Sequence, residues 1–505
     1  MNINVKENAK RNIVFGTINR MIAVACPFIT RTVLQYTLGK EYLGLGSLFN
    51  SILTILSLSE LGLSEAIVYS MYKPVAEDDT PTVNSLLNFY KRTYRYIGIT
   101  ILLVGCILIP FLPHLISEGC PPNINLTLLF MIYVVNSSLS YFLYAYANSL
   151  IVVYQRSDLS SKINSAVTLL LTVSQVLCLI LYRNYIAFAL LMPLFTVINN
   201  LRIALVVKKM FPQYKCEGKI SDSMRNDLKE KIKGTIIARL CGVSRNSFDN
   251  ITTSAFLGLA VTAMYGNYYY IIAAVYSFMS IISTALVGGI GNHSVTRSSE
   301  QNYAELKKID FLYMWIAGWC SVCILCLMQP FIELWMGKEM MLSFPVVIML
   351  VVYFYSERTI DMKGLYISAQ GLWDRLKIAS LCEAILNTVL NVVLGKIIGL
   401  YGIILATIST IFFINIIWKT QIVFHDLFGK SKVKDYYLYH LKYFFITVFA
   451  ASLSYVICQL VAIDGILLKL IYRLFICAII PNCIYFIFYH NTKCYKEATN
   501  LVFRK

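Results

Sequence analysis

Charge is scarce in this chain. Only 14% of its 505 residues are Asp, Glu, Lys or Arg, where a soluble globular domain carries about 25%. That shortage, with 58% hydrophobic residues, excludes an ordinary soluble fold. Long polar stretches are also missing, so little chain remains for a separate soluble domain. Catalytic signatures are lacking as well. "GKS" at 429–431 resembles the end of a phosphate-binding loop, but that motif requires glycine where the chain has Phe424. There is no HExxH, no paired-cysteine zinc spacing and no nucleophile elbow, and the five histidines cluster with nothing. Neither an enzyme nor a cofactor is therefore expected.

Apolar runs dominate what is present. A membrane helix needs about 20 apolar residues, and fourteen segments qualify: 12–36, 44–71, 93–117, 127–153, 163–182, 186–207, 234–257, 262–290, 310–333, 344–370, 377–396, 400–423, 441–462 and 466–489. The expected class is an all-α integral membrane protein. Lys6, Lys10 and Arg11 before the first segment imitate a signal peptide. The segment is too long for one, carries Arg20 and Arg31, and offers no small-residue cleavage site, so it reads as a retained helix.

Acidic residues are the scarcer sign, 27 against 44 Lys plus Arg, a net +17. The excess sits in "KKMFPQYKCEGKISDSMRNDLKEKIK" (208–233), "KSKVK" (430–434) and the final residues. Cytoplasmic loops of membrane proteins carry such a bias, and basic loops attract anionic headgroups. Membrane lipids rather than nucleic acid are the expected partners, with both termini cytoplasmic. The fourteen cysteines lie mostly in apolar runs, Cys320, Cys323 and Cys326 among them, and read as buried packing.

A repeat divides the chain. "GT" at 16–17 returns at 234–235, "LG" at 38–39 at 257–258, Gly46 at Gly266, and "IPF" at 109–111 as "QPF" at 329–331, with offsets of 218, 219, 220 and 220. The expected organisation is an N-terminal lobe of six helices (1–207), a basic cytoplasmic linker (208–233), a C-terminal lobe of six (234–423), and two further helices with a tail (424–505). Six helices per copy is an even number, so the repeats enter the bilayer alike, with substrate expected between them.

The polar residues inside these spans carry the functional expectation. At 100° per residue, Thr235, Arg239, Gly242, Asn246, Asp249, Asn250 and Thr253 form one stripe of helix seven, with Arg245 at its edge. Ile237, Leu240, Val243 and Phe248 lie opposite. Helix one repeats the pattern with Gly16, Arg20, Pro27 and Arg31. An arginine at the bilayer centre costs about 2.5–3.5 kcal/mol, so four suggest a wet cationic cavity. Arg245 and Asp249, four apart, suit a structural ion pair, and Arg31 near the outer mouth can snorkel. Arg239 and Arg20 have no such neighbour in sequence and point to an anionic ligand.

Other candidates are weaker. Asn50, Glu60, Asn246, Asn250 and Asn267 are cavity or ion-coupling positions, and Glu60 or Asp249 can bind a driving proton or sodium ion. Glu357, Arg358 and Asp361 form an expected structural or gating network beside Lys363. Glu383, Asn387 and Asn391 share one face of helix eleven. Tyr268, Tyr269 and Tyr270 suit interface anchoring or stacking on sugar rings.

The stretch "RTVLQYTLGKEYLGLGSLFNSILTILSLSELGLSEAIVYSMYKPVAEDD" (31–79) resembles the first two helices of polysaccharide flippases of the Wzx type, in the multidrug/oligosaccharidyl-lipid/polysaccharide exporter superfamily. A leucine-glycine pair, a Tyr-x-Gly element and a Leu-Tyr-Lys-Pro-like run carry the likeness, the last departing at Met71 as "SMYKP". The charged seventh helix and fourteen-span layout extend it over the full length. The resemblance implies two six-helix lobes in alternating V shapes. It also implies flipping of a polyprenyl-diphosphate-linked oligosaccharide across the bacterial cytoplasmic membrane, for O-antigen or capsule export, alongside a polysaccharide polymerase. Arginine suits the diphosphate through its planar donor fork. The rivals are a drug/cation antiporter of the same superfamily, whose cavity should favour carboxylates and aromatics, and a membrane glycan polymerase.

Overall fold

The computed structural model describes residues 5–57, 62–117, 119–121, 124–144 and 146–503. Within its helices, the side chains of 5–6, 230–241, 243–244, 246, 284–285, 287–289, 291–296 and 499–503 lie outside the description. The fold is all helical, with no strand among the described residues. Among the described residues, nine helices are long and apolar enough to cross a membrane, or ten if the bent pair Leu126–Phe142 and Ala147–Val153 makes one span. The other expected spans fall on segments of a different kind. One, 44–71, includes residues outside the description, two lie on the helices that meet at the kink within Asp222–Thr296, and Phe344–Gln370 gathers four ionisable residues.

The chain packs as two compact units, Met1–Ala263 and Met264–Lys505. In the first unit, α1 (Val5–Thr37) lies along α7 (Ser157–Tyr182). Asn12, Phe15 and Asn19 recur at helical spacing and make that contact. The Asn12 amide donates to the Gln155 carbonyl at 3.0 Å, and its oxygen accepts from Asp158 N at 2.8 Å. This supplies the N-terminal cap that Arg156 cannot. Lys162 lies 3.9 Å over the Phe15 ring, and Ser165 donates to Asn19 at 3.1 Å.

α2 (Lys40–Leu56), α3 (Leu63–Ala76), α4 (Thr80–Leu108), α5 (Leu126–Phe142), α6 (Ala147–Val153) and α8 (Tyr185–Met210) complete this unit with the first part of α9 (Asp222–Thr296). Met71, the departure noted in "SMYKP", is fully buried in the core with Leu86 and Tyr90. It replaces one core side chain with another of similar volume, which packing tolerates. Asp79 caps α4 through Thr82 N at 3.1 Å, and the Thr82 hydrogen bonds hold its carboxyl below the usual range.

Gly39 and Gly258, aligned by the repeat, share one backbone geometry: φ 105°, ψ 177° before α2, and φ 83°, ψ 172° at a break inside α9. Only glycine adopts this readily. Gly44 then lets α2 approach the break so closely that a Cβ there would strike the Leu259 carbonyl.

The second unit is built around α10 (Ser299–Met336), opened by a capping box between Ser298 and Gln301. At about 1.5 Å per residue it outruns the bilayer core, and its charged first turns are tied to neighbouring helices. Lys307 and Tyr303 each reach Asp435 at 2.8 Å, and Lys308 reaches Glu497 at 3.2 Å. Around it stand α11 (Phe344–Gln370), α12 (Trp373–Ile398), α13 (Leu400–Thr410), α14 (Lys419–Leu427), α15 (Lys432–Leu460), α16 (Ile466–Tyr489) and α17 (Lys493–Phe503). A π-helical stretch, Ile411–Trp418, joins α13 to α14.

Candidate functional site

The membrane arginines of α1 sit at a boundary. Measured from Asn12 at 100° per residue, Arg20 lies at about 80° and Arg31 at about 100°. That places them between the edge packed on α7 and the exposed side formed by Val14, Ile18 and Met21. Both are half-buried. The charge of Arg31 acts on the Tyr185 hydroxyl, which pairs with Tyr133 at 3.0 Å over the space left by Gly46.

Arg239, Asn246 and Glu60 lie outside the described side chains. Arg245 is half-buried, and Asp249, one turn on, is buried. The side chains that follow are half-buried or buried. Asn250 donates to Ser51 of α2 at 3.0 Å, Thr253 bonds back to the Asp249 carbonyl, and Ser254 donates to the Leu115 carbonyl at 2.7 Å. Hydroxyl groups here satisfy backbone acceptors of a packed interior. Asn50 is exposed, with its carbonyl taken by Thr54. Asn267 belongs to the second unit and is wholly enclosed, so it faces no solvent.

A polar cavity in the first unit went unnoticed in the sequence. It has a volume of about 310 Å³ and is walled by Tyr90, Tyr94, Asn148, Asn164, Asn199 and Asn200, with serines and tyrosines between them. Tyr90 donates to Tyr94 at 2.7 Å. Among the described residues, no ionisable acid or base other than tyrosine lines it. Amides and hydroxyls that both donate and accept, beside aromatic faces, suit a neutral polyhydroxylated group. The signal available was four asparagines inside apolar runs.

Two buried clusters in the second unit, among the described residues, are built on Arg358 and on Glu383. In the first, Arg358 pairs with Glu357 at 2.9 Å and with Asp361 at 3.1 Å, and lies 3.7 Å over the Tyr276 ring. Tyr313 donates to Asp361 at 2.5 Å. With Arg358 held between its two carboxylates, this cluster joins α9, α10 and α11. In the second, Glu383 of α12 accepts from Lys419 at 2.7 Å and Asn415 at 2.5 Å. Lys363, only 2% exposed, donates to the Asn415 carbonyl at 2.9 Å and to Thr420. The accepting Asn415 lies within the π-helical stretch Ile411–Trp418. Below Glu383 on the same face, Asn387 donates to Thr407 at 3.1 Å and Thr410 at 3.3 Å. Lys419 and Asn415 were not singled out in the sequence, since their partners are more than thirty residues away.

No protein-family model matches the chain, and no curated protein matches it. Solved structures do. The lipid II flippase MurJ in its inward closed conformation aligns at TM-score 0.69 and 14% identity, covering 95% of this chain and 99% of its own. An inward-facing multidrug resistance MATE transporter of the MOP superfamily aligns at 0.61 and 12%, covering 84% of this chain and 98% of its own. A MOP-superfamily transporter from Pyrococcus furiosus, with a binding pocket of reverse polarity, aligns at 0.54 and 11%, over 85% and 96%. Together with its apolar helices, this likeness makes the chain a multi-pass membrane protein with the fold common to the lipid II flippase and the MATE transporters, proteins that transport rather than catalyse.

Proposed function

We propose that this protein flips a polyprenyl-diphosphate-linked oligosaccharide across the bacterial cytoplasmic membrane by alternating access, for surface polysaccharide export. The observation that carries the reading is the length of the structural match. The lipid II flippase accounts for 95% of the chain, whereas the MATE transporter leaves 16% unaccounted for. Half-buried arginines on α1 and the polar cavity of the first unit support the same cargo, the first suited to a diphosphate and the second to sugar hydroxyls. Arg20 and Arg239 are the proposed diphosphate ligands, with Arg31 and Arg245 beside them. Glu60 and Asp249 are the proposed sites for a coupled proton or sodium ion. Both termini are placed in the cytoplasm by this reading, and a glycan polymerase is the expected partner.

The test is a leaflet-resolved assay in proteoliposomes with a fluorescent diphosphate-linked oligosaccharide. Wild type should make the inner-leaflet label accessible outside without extending the glycan. A hydrogen bond to a charged group is worth about 1.5–3 kcal/mol, so Arg20→Ala should weaken cargo binding about 10- to 100-fold. Movement of cationic dyes in place of the lipid would establish the antiporter instead. Chain extension would establish the polymerase.

A further inference from the structure

Three cysteines from three helices meet inside the second unit. Cys326 of α10, Cys458 of α15 and Cys477 of α16 are buried, and their Sγ atoms lie within 4.8 Å of one another. All three are free thiols. Cys323, one turn earlier on α10, also reaches Cys477. The helices are held in register at this level. Trp319 donates to the Cys477 carbonyl at 2.8 Å, and Tyr472 donates to the Ile457 carbonyl at 3.0 Å.

A buried cation stands beside the sulfurs. Arg473, one turn before Cys477, is 4% exposed, and donates to the Cys326 carbonyl at 2.8 Å and to Gln459 at 3.3 Å. Its neighbours are a carbonyl, an amide and the thiols, with no carboxylate in ion-pair range among the described residues. A guanidinium enclosed in a membrane helix calls for an adjacent negative charge, and the anions obtainable here are thiolates.

We propose that Cys326, Cys458 and Cys477 form a binding site for a soft, thiophilic metal cation, with monovalent copper the cation that fits. Sulfur-only donors select soft metals. With metal–sulfur bonds of about 2.3 Å, a trigonal site needs sulfurs about 4 Å apart, a contraction of less than about 1 Å from the 4.8 Å limit. Copper displaces the protons of two thiols, which pass to solvent, while the third binds as a neutral thiol. Two thiolates and one monovalent cation leave a single negative charge, which Arg473 cancels. No electron is transferred. Zinc prefers four ligands, and taking Cys323 as the fourth thiolate would leave two negative charges against one arginine. The bound ion would clamp α10, α15 and α16 together, whatever the cargo of the protein.

The full-length protein, purified in detergent under anaerobic reducing conditions and stripped of metal, is titrated with Cu(I) against bathocuproine disulfonate. One copper per chain should be retained, with a sulfur-only copper-edge X-ray absorption spectrum and a raised Tm. Cys477→Ser and Cys458→Ser should each lose the ion while eluting as monodisperse protein. A variant with the exposed Cys106, Cys382 and Cys483 changed to serine should keep it. The absorption spectrum of wild type decides the matter even if both site variants misfold. Substoichiometric copper, nitrogen or oxygen ligands, retention in Cys477→Ser, or uptake of zinc but not copper would overturn the site.

Discussion

Glu383 and Lys419 illustrate how a single residue matters in an apolar interior. The carboxylate and the ammonium are both largely enclosed, at 2.7 Å. Their attraction offsets the desolvation each has suffered, so the pair adds little net stability, yet neither can be removed alone. Lys419→Met should destabilise the protein by about 3–5 kcal/mol by leaving Glu383 uncompensated. The double variant Glu383→Gln/Lys419→Met should recover most of that loss. Thermal unfolding in detergent across the four proteins measures the coupling, and an additive double variant would show the two charges to be independent. The same reasoning covers Arg358, whose two carboxylates and Tyr276 ring leave it compensated. Arg358 and Asp361 were legible as a pair because they stand three apart on one helix. Lys419 and Glu383 were not, because nothing local relates positions on α14 and α12.

Among the elements, α9 shows how one glycine ends a span. Two spans with a connection near 258–261 are expected, and within Asp222–Thr296 two helices meet at a kink on Gly258, whose backbone angles are non-helical. The glycine both breaks the helical path and permits the approach of α2, since Gly44 abuts the Leu259 carbonyl. Substitution at Gly44 meets backbone rather than a movable side chain. Gly258→Ala should cost about 1–2 kcal/mol for its left-handed φ, and Gly44→Ala about 1–3 kcal/mol for overpacking. Gly242→Ala, with open space around it, should leave Tm unchanged or raise it. Parallel unfolding of the three variants in one detergent checks the order. The leucine-glycine dipeptides at 38–39 and 257–258 were visible as a recurrence, and their common backbone angles give that recurrence a physical cause.

At the scale of the molecule, the last helices are bound into the second unit rather than appended to it. Trp315 donates to Asn482 at 2.9 Å, Trp319 to the Cys477 carbonyl at 2.8 Å, and Gly318 makes room for Tyr485 and Thr447. α10 therefore depends on α15 and α16 for its burial. A chain ending at Gly429 should fail to accumulate as monodisperse protein, as judged by size-exclusion chromatography of detergent extracts. A stable, monodisperse truncation would mean that the earlier helices form a complete unit without them. That outcome bears on transport too, because the match to the lipid II flippase extends over more of the chain than the match to the MATE transporter.

What the amino-acid order determined unaided was the solvent. Shortage of charge and repeated apolar runs commit the chain to a bilayer, and there the backbone must satisfy its own hydrogen bonds, so helices follow from composition alone. Periodicity then identified faces, such as Glu383, Asn387 and Asn391, and the arginine edge of α1. Tertiary structure decided which faces meet. Asn250 turned to Ser51, Lys363 to the Asn415 carbonyl of a π-helical stretch, and three cysteines up to 151 positions apart came within 4.8 Å. A helix's hydropathy records that one side is to be covered; the identity of the cover depends on packing among all the helices at once.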